Sequence, residues 1–295
     1  MIKTNRRDAA QLRLYQAGPG AGPFLKWAGG KAQLLPTLQN YYPAREEYET
    51  YFEPFLGGGA VFFELRPRLA FLSDSNHELI NTYEVVQKIV EDLIAHLQTL
   101  QREYRASPRE KYHEVRDEWD VRKLDDVQRA TRFVFLNKTC FNGLYRVNRA
   151  GKFNVPFGKN PNATICDRDR LRAASDALRG MKLQALDFRE TLRHPGPDDF
   201  VYVDPPYDPI SKTSSFTGYT KDAFTMSDQE DLAKALARLN ERGTKILMSS
   251  SLSKNIQRLY PALGFKVLHV TAPRAINSNP DGRGRISELL IRNFG

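Results

Sequence analysis

The chain has 295 residues, of which 41% are hydrophobic and 27% are charged, as in globular proteins with a substantial core. Lysine and arginine outnumber aspartate and glutamate by 44 to 35, and the resulting net charge of +9 suits a polyanionic partner without requiring one. The two cysteines have no paired spacing, the five histidines are dispersed, and no apolar run reaches membrane-spanning length, which argues against a disulfide-rich secreted protein, a metal site and a membrane protein.

The N-terminal part divides near Pro23. Residues 1–22 are basic, lack a signal-peptide hydrophobic region and end in a run of glycine and alanine, so they are predicted to form a flexible extension. Gly29 and Gly30 then precede a predicted helix, where backbone amides could receive an anion with Lys31 as the countercharge. The Walker pattern fails because Ala32 replaces its Ser/Thr, and a plain glycine turn is an equal alternative.

A strand, a glycine turn and a helix are predicted over residues 51–63. The glycines 57–59 permit close approach of the backbone to a nucleotide, although Phe62 occupies the third glycine position of a dinucleotide fingerprint. A second strand is predicted from the apolar run over residues 69–72, and this run leads into Ser73 and Asp74 at the end of the strand. This acid could hold a ribose, as in α/β nucleotide-binding folds, or could cap the following helix.

Residues 76–136 carry helical periodicity that interrupts the alternation of strands and helices, which predicts an inserted helical domain. The following segment, residues 137–159, interleaves aromatic, asparagine and basic side chains across predicted turns. Arginine can pair with guanine and asparagine with adenine, and aromatic rings can stack on bases or wedge between them. A hairpin that reads nucleic acid is therefore predicted; a solvated basic hairpin with its aromatics turned to the core is the alternative.

The alternation resumes with a strand over residues 183–186, after which Asp187 follows, and with an apolar strand over residues 200–203. The second of these strands ends in Asp204-Pro205-Pro206-Tyr207, at the position where open α/β sheets bind ligands. The prolines stiffen this turn, and the Asp204 carboxylate and the Pro205 carbonyl could both accept from one exocyclic amine. Tyr207 could stack on the ring that carries the amine; a plain proline-rich turn is the alternative.

The last third of the chain is predicted to contain a strand over residues 245–249 and a terminal strand pair over residues 266–270 and 288–291. The loop between the paired strands contains Arg274, Arg283 and Arg285. It is interpreted as a second basic surface for phosphates.

Several motifs occur in one order along the chain: residues 26–31, 55–59, the helical insert, residues 142–146, 153–158 and 204–207. From about Phe24 to the C-terminus, the chain resembles the Dam-type DNA adenine N6-methyltransferases of the alpha-ordered group. The resemblance implies S-adenosylmethionine as methyl donor and double-stranded DNA, usually the palindrome GATC, as substrate. It also implies an α/β fold with a Rossmann-like catalytic domain, residues 23–84 and 171–295, and an inserted helical target-recognition domain with a hairpin, residues 85–170.

The resemblance further implies roles for individual residues. The implied cofactor contacts are Trp27, Lys31, Phe55, Gly57, Gly59, Asp74, Asp187 and Asp204. The implied catalytic residues are Asp204, Pro205, Pro206 and Tyr207. The implied DNA contacts are Lys26, Phe141, Asn142, Leu144, Arg146 and Pro156, among which Phe141 takes the place of an aromatic that intercalates beside a flipped adenine. Asn160-Pro161 stands where family members that read the outer G·C pair can carry an aromatic, which leaves the reading of that pair open.

The sequence-level hypothesis is a bacterial or phage-encoded enzyme that is cytoplasmic, nucleoid-associated and monomeric in solution. It needs no metal, because the transferred methyl group already sits on a cationic sulfonium. An RNA adenine methyltransferase and a DNA-binding protein that has lost catalysis are the alternatives. The basic aromatic segment favours duplex DNA over the first, and the intact turn over residues 204–207 favours catalysis over the second.

Overall fold

The computed structural model describes residues 20–206, 224–272 and 286–295. Tyr207, which was predicted to stack on the target ring, lies outside the described residues. So do Arg274, Arg283 and Arg285 of the predicted phosphate-binding loop.

Seven strands and nine α-helices are found in these residues. The strands are β1 Thr50–Glu53, β2 Leu69–Asp74, β3 Lys182–Ala185, β4 Phe200–Val203, β5 Lys245–Ser251, β6 Lys266–Ala272 and β7 Ile286–Arg292. The helices are α1 Leu35–Leu38, α2 Ala60–Leu65, α3 His77–Ala106, α4 Pro108–His113, α5 Asp126–Thr139, α6 Arg168–Leu178, α7 Phe188–Thr191, α8 Met226–Glu241 and α9 Lys254–Ala262. None of the helices in the described residues is long and apolar enough to span a membrane.

All seven strands belong to one sheet, in the order β3-β2-β1-β4-β5-β7-β6. The first five are parallel, and β7 runs antiparallel between β5 and β6. The strand order reverses direction between β1 and β4. In an open α/β sheet this switch point opens a crevice at the carboxyl ends of the strands, where ligands bind. The predicted Rossmann-like α/β fold is confirmed.

Strand β4 lies at the centre of the sheet because its side chains are apolar on both faces. Phe200 and Tyr202 pack into one hydrophobic cluster, whereas Val201 and Val203 pack into the other, and all four are at most 1% exposed. Layers therefore cover both faces, as expected for a parallel sheet whose strands read as continuous apolar runs. The turn that follows β4 is anchored on the most deeply buried strand of the fold.

The helices predicted over residues 76–136 are present as α3, α4 and α5, and they lie between β2 and β3 in the chain. Helix α3 begins at the N-cap Asn76, whose side chain accepts from the backbone amides of Glu78 and Leu79, and it is kinked at Ile89. The predicted domain boundaries at 84/85 and 170/171 fall inside α3 and α6, so the division into two domains remains a prediction. The helix expected after Gly30 is reduced to a 3-10 turn and the short α1, with Pro36 at its start.

Candidate active site

Three carboxyl groups stand at the carboxyl ends of neighbouring strands. Glu53 ends β1, Asp74 ends β2, and Asp204 directly follows β4. Glu53 is 3% exposed and accepts a hydrogen bond from the Tyr51 hydroxyl at 2.9 Å. Burial raises the pKa of Glu53 well above its usual range, and the charges of Asp204 and Asp74 raise it further. The switch point of the sheet is thus an acidic edge.

The Asp204 carboxylate is held by two donors on the same oxygen. The Lys31 ammonium lies 2.7 Å from Asp204 Oδ1, and the Ser249 hydroxyl donates to that oxygen at 3.2 Å. The Lys31 side chain is 4% exposed and that of Asp204 is 20% exposed. Burial raises the pKa of Asp204, while Lys31 and Ser249 act to lower it. The carboxylate is therefore oriented before any substrate arrives.

Lys31 was predicted as a cofactor contact and as a countercharge for an anion at the Gly29-Gly30 turn. In the structure its ammonium also donates to the Gly29 carbonyl at 2.9 Å, so it bridges this turn and Asp204. Pro205, the next residue of the predicted catalytic turn, is buried, and Pro206 is exposed.

The glycine loop after β1 is braced by Asp74. Its Oδ2 accepts from the Gly57 amide and its Oδ1 from the Asn76 amide, both at 3.0 Å. Gly57 and Gly59 have φ values of +47° and +66°, a region that favours glycine. A Cβ on Gly57 would lie 2.7 Å from the Trp27 indole, so the loop cannot carry a side chain where Trp27 packs against it. Helix α3 takes its cap from Asn76, and Asp74 shapes the loop instead.

Aromatic rings line the next part of the same edge. Phe55 stacks on Phe188 with ring centroids 5.3 Å apart, and Phe224 meets Phe55 edge-on at 5.9 Å. Asp187 is the N-cap of α7: it accepts from the Arg189 amide at 2.8 Å and pairs with the Arg189 guanidinium at 3.2 Å. Asp187 thus stands beside an aromatic pair, as a contact for a cofactor base requires, while it also caps a short helix.

S-adenosylmethionine, the donor that the resemblance implies, suits these groups. A sulfonium and an ammonium are cations, and they match an edge that carries the carboxyl groups of Asp74 and Asp204. A planar base can stack on a half-buried ring such as Phe55. A loop of glycines lets the backbone approach a nucleoside closely.

A buried asparagine joins the N-terminal motif to the predicted DNA-reading segment. Asn137, at 3% exposure, accepts from the Lys26 amide at 2.8 Å and donates to the Lys26 carbonyl at 2.7 Å. Its amide also donates to the Gly143 carbonyl at 3.2 Å. The structure therefore places Lys26 next to the turn that carries Phe141, Asn142 and Leu144, as the grouping of the predicted DNA contacts requires.

The predicted hairpin is present. Val147 bridges Phe153 across it, and the Asn154 amide donates to the Arg146 carbonyl at 3.1 Å. The Arg146 guanidinium donates through Nε to Asn154 Oδ1 at 2.7 Å and through a terminal nitrogen to the Asn154 carbonyl at 3.1 Å. This clamp holds the arginine across the hairpin.

The other predicted DNA contacts lie on the surface of the same segment. Phe141 is 50% exposed and Leu144 is 37% exposed, which is unusual for large apolar side chains. Asn142 is exposed with a φ of +55°, and the exposed Pro156 accepts from the Phe141 amide at 2.9 Å through its carbonyl. The aromatic residues of this segment differ in exposure: Phe153 is in the core, whereas Phe141 faces solvent.

Sequence reasoning missed several of these residues. Ser249 reads as part of the polar end of a strand, Tyr202 as a core aromatic, Glu53 as one more charge before a glycine turn, and Asn137 as the start of the basic segment. The available signal was burial: each is a polar group within or beside an apolar run, and buried polar groups need partners. No group of three His, Cys, Asp or Glu side chains that could hold a metal ion occurs in residues 20–206, 224–272 and 286–295.

Comparison with known proteins agrees with this geometry. The family model described as D12 class N6 adenine-specific DNA methyltransferase matches residues 27–276. The type II methyltransferase M.MjaIII of Methanocaldococcus jannaschii is 42% identical, covering 92% of this chain and 99% of its own length. The type II methyltransferase M1.LlaDCHI of Lactococcus lactis subsp. cremoris is 39% identical over 92% of this chain and 95% of its own.

The DNA adenine methylase of Serratia marcescens is 33% identical over 90% of this chain and 96% of its own. Among solved structures, the rRNA methyltransferase aviRa of Streptomyces viridochromogenes is 15% identical and covers 99% of this chain and 94% of its own, with a TM-score of 0.38. The strand order β3-β2-β1-β4-β5-β7-β6 identifies the fold independently of this likeness.

Proposed function

Because the chain belongs to the D12 class N6 adenine-specific DNA methyltransferases, we propose that it methylates N6 of an adenine flipped out of duplex DNA, within the palindrome GATC. The family makes the chain an S-adenosylmethionine-dependent DNA adenine methyltransferase, which favours this function over RNA methylation and over DNA binding without catalysis. The observation that carries the proposal is the oriented carboxylate of Asp204 at the switch point, next to Pro205 in the chain.

The chemistry requires help with a weak nucleophile. The lone pair of the adenine amine is delocalised into the ring, so the amine attacks well only when it becomes tetrahedral. The Asp204 carboxylate and the Pro205 carbonyl each accept one hydrogen bond from the amine, and the two hydrogen bonds favour the tetrahedral geometry. S-adenosylmethionine, when bound, supplies a methyl group on a cationic sulfonium. Burial raises the pKa of Asp204, so its carboxylate is a better acceptor for the proton that N6 must lose.

The donor pocket of this proposal is the edge built on β1, β2 and β3. Trp27, Phe55, the glycine loop with Gly57 and Gly59, Asp74 and Asp187 surround it, and Lys31 keeps Asp204 ionised and aligned. These residues bind and orient the donor so that the reaction becomes effectively unimolecular. Tyr207 stacks on the target base in this proposal, and Pro206 stiffens the turn before it.

Base flipping follows from the depth of this edge. An adenine within a duplex cannot reach a carboxylate that is only 20% exposed, so it must leave the stack, at a cost of a few kcal/mol. Phe141, half exposed at the turn beside Lys26, is suited to fill or wedge the vacated space. Leu144 and Pro156 then provide apolar contacts to neighbouring bases.

Sequence reading in this proposal belongs to the hairpin and to Lys26. Arg146 reads a guanine in the major groove, the commonest specific arginine contact. Asn142 and Lys26 add polar contacts nearby, and the loop with Arg274, Arg283 and Arg285 binds phosphates. The enzyme acts as a monomer on each strand of the palindrome in turn, in the cytoplasm and on nucleoid DNA.

The test is transfer of tritiated methyl groups to a GATC duplex, to each single-base variant of it, and to the matching RNA, with Asp204→Ala as the inactive control. Replacing the target adenine by 2-aminopurine reports flipping through fluorescence. The proposal predicts methylation of GATC, loss on most variants and on RNA, and a fluorescence increase on binding. Equal methylation of GATC and its variants would reject the sequence, and unchanged fluorescence would reject flipping.

A further inference from the structure

We propose that Ser249 is a positioning residue for catalysis: its hydroxyl, held in turn by Tyr202, fixes the Asp204 carboxylate so that Oδ2 is presented to the target amine. This inference rests on the proposed role of Asp204 as the acceptor for that amine. It adds to the turn over residues 204–207 a second element, the carboxyl-terminal half of β5, as part of the catalytic machinery.

The hydrogen bonds have only one consistent direction. An ionised carboxylate cannot donate, so the Ser249 hydroxyl donates to Asp204 Oδ1 at 3.2 Å. A serine hydroxyl has a single hydrogen, so the contact of 2.9 Å between Tyr202 and Ser249 must be a donation from tyrosine. Burial raises the pKa of Tyr202 well above its usual value, which keeps that hydroxyl protonated. The result is a relay from Tyr202 through Ser249 to Asp204.

The relay determines which oxygen of Asp204 is used. Lys31 and Ser249 both engage Oδ1, at 2.7 and 3.2 Å. Among the described residues, no hydrogen bond to Oδ2 is found. Two donors on one oxygen restrict rotation of the carboxylate about its last bond more than Lys31 alone does. Oδ2 therefore keeps its lone pairs for an incoming amine.

The supports of the relay are rigid. Tyr202 is 1% exposed and Ser249 is not exposed at all. Both lie on adjacent parallel strands at the centre of the sheet, where Val203 pairs with Met248. Strand geometry turns the neighbouring Ser250 to the opposite face. The sheet thus supplies the precision that a hydrogen bond to a reacting carboxylate demands.

The experiment compares Ser249→Ala, Ser249→Thr and Tyr202→Phe with the full-length wild type, and it uses Ser250→Ala as the matched control. Single-turnover methylation of a GATC duplex is measured across the pH range, with donor and DNA affinities determined separately. Loss of a hydrogen bond to a charged group predicts a rate about 10- to 100-fold lower for Ser249→Ala. Donor and DNA affinities should stay within about twofold, since Ser249 is not proposed to touch either.

The pH profile and the conservative variant separate positioning from mere structure. Lys31, Tyr202 and Glu53 also face Asp204, and they are unchanged in Ser249→Ala. Removal of the serine donor raises the pKa of Asp204, so the acid limb of the profile should move to higher pH. Ser249→Thr retains the hydroxyl and should recover most of the rate. Tyr202→Phe should fall between wild type and Ser249→Ala.

The outcomes distinguish a failure of the proposed role of Ser249 from a failure of the proposed role of Asp204. A Ser249→Ala enzyme with the wild-type rate and profile overturns the inference while the proposed function stands, provided that Asp204→Ala is inactive. An active Asp204→Ala enzyme instead rejects the role of Asp204 itself. If Ser249→Ala unfolds, Ser249→Thr and Tyr202→Phe carry the test: a slow threonine variant with unchanged melting, or a tyrosine variant identical to wild type, contradicts the relay.

Discussion

Replacing Lys31 by methionine removes the ammonium that orients Asp204 while keeping a side chain of similar length. The substitution leaves Asp204 in its buried position, which raises the pKa of the carboxyl group, and removes the Lys31 charge that lowers it. A carboxyl group in that position has two options: to stay ionised at a cost in stability, or to bind a proton and lose its ability to accept from an amine. Lys31→Met should therefore impair folding and catalysis in ways that depend on pH.

The structure bounds the size of the effect. Two unit charges 2.7 Å apart attract by about 6 kcal/mol at an effective dielectric constant of ~20 and by about 1.5 kcal/mol in water. Both side chains are at most 20% exposed, so the interaction is far from the aqueous limit. Removal of one partner from a buried ion pair lowers the free energy of unfolding by about 3–5 kcal/mol. Some of this loss is avoided when Asp204 takes up a proton.

The sign of the pH dependence follows from the direction of the pKa shift. Without Lys31, the pKa of folded Asp204 lies further above that of the unfolded chain. Stability from the protonated carboxyl is then present at low pH and disappears as pH rises through the folded pKa. The melting temperature of Lys31→Met should therefore be closest to wild type in acid and fall further behind as pH rises. Its methylation rate should behave in the opposite way, rising with pH as Asp204 ionises.

The assay combines melting curves with single-turnover methylation over the same pH series. Lys88→Met is the matched control, because Lys88 pairs with Glu84 on the surface of α3 with 62% of its side chain exposed, and it should leave both measurements unchanged. A Lys31→Met protein whose stability deficit is the same at every pH would refute the reasoning. So would a rate profile that keeps its wild-type position.

Three further predictions test other parts of the site. Asp74→Ala should weaken donor binding at least about 10-fold in calorimetry while DNA affinity holds, because the Gly57 amide loses its acceptor; unchanged donor affinity would contradict a loop-bracing role. Arg146→Ala should lose about 1–3 kcal/mol of discrimination at one base pair, and Asn154→Ala a smaller amount at that same pair; a uniform loss across all duplexes would instead indicate phosphate binding. Asn137→Ala should lower the free energy of unfolding by about 1–3 kcal/mol and weaken discrimination among duplexes, and normal discrimination at reduced stability would limit Asn137 to folding.

Local patterns predicted the strands well. The apolar run over residues 200–203 became β4 with the same bounds, because a strand covered on both faces needs no polar alternation. The terminal strand pair was predicted from two short runs and is found as β6 and β7, hydrogen-bonded antiparallel. Strand β2 extends from Leu69 to Asp74, so the acid predicted at the end of this strand is its last residue.

Partners distant in sequence could not be predicted in this way. In the sequence, Lys31 precedes the helices between β2 and β3 and Asp204 follows them. No local periodicity relates two residues so far apart in the chain. The alternative that Asp74 caps a helix was weighed on spacing alone, and spacing could not show that Asn76 takes the cap while Asp74 holds Gly57. Ser249 carries no motif; it becomes significant only because β5 pairs with β4 and brings its hydroxyl to Asp204.

The stretch from Lys26 to Lys31 joins the three parts of the site. At one end, Asn137 ties the Lys26 backbone to the turn that precedes the hairpin. In the middle, Trp27 packs against the loop at Gly57. At the other end, Lys31 meets Asp204. In the proposed function, target reading, donor binding and catalysis therefore share one short segment, which is held by contacts at both ends. We therefore expect a change at any one of these contacts to affect all three activities. Measuring donor affinity, discrimination between duplexes and methylation rate on each variant is more informative than measuring the rate alone.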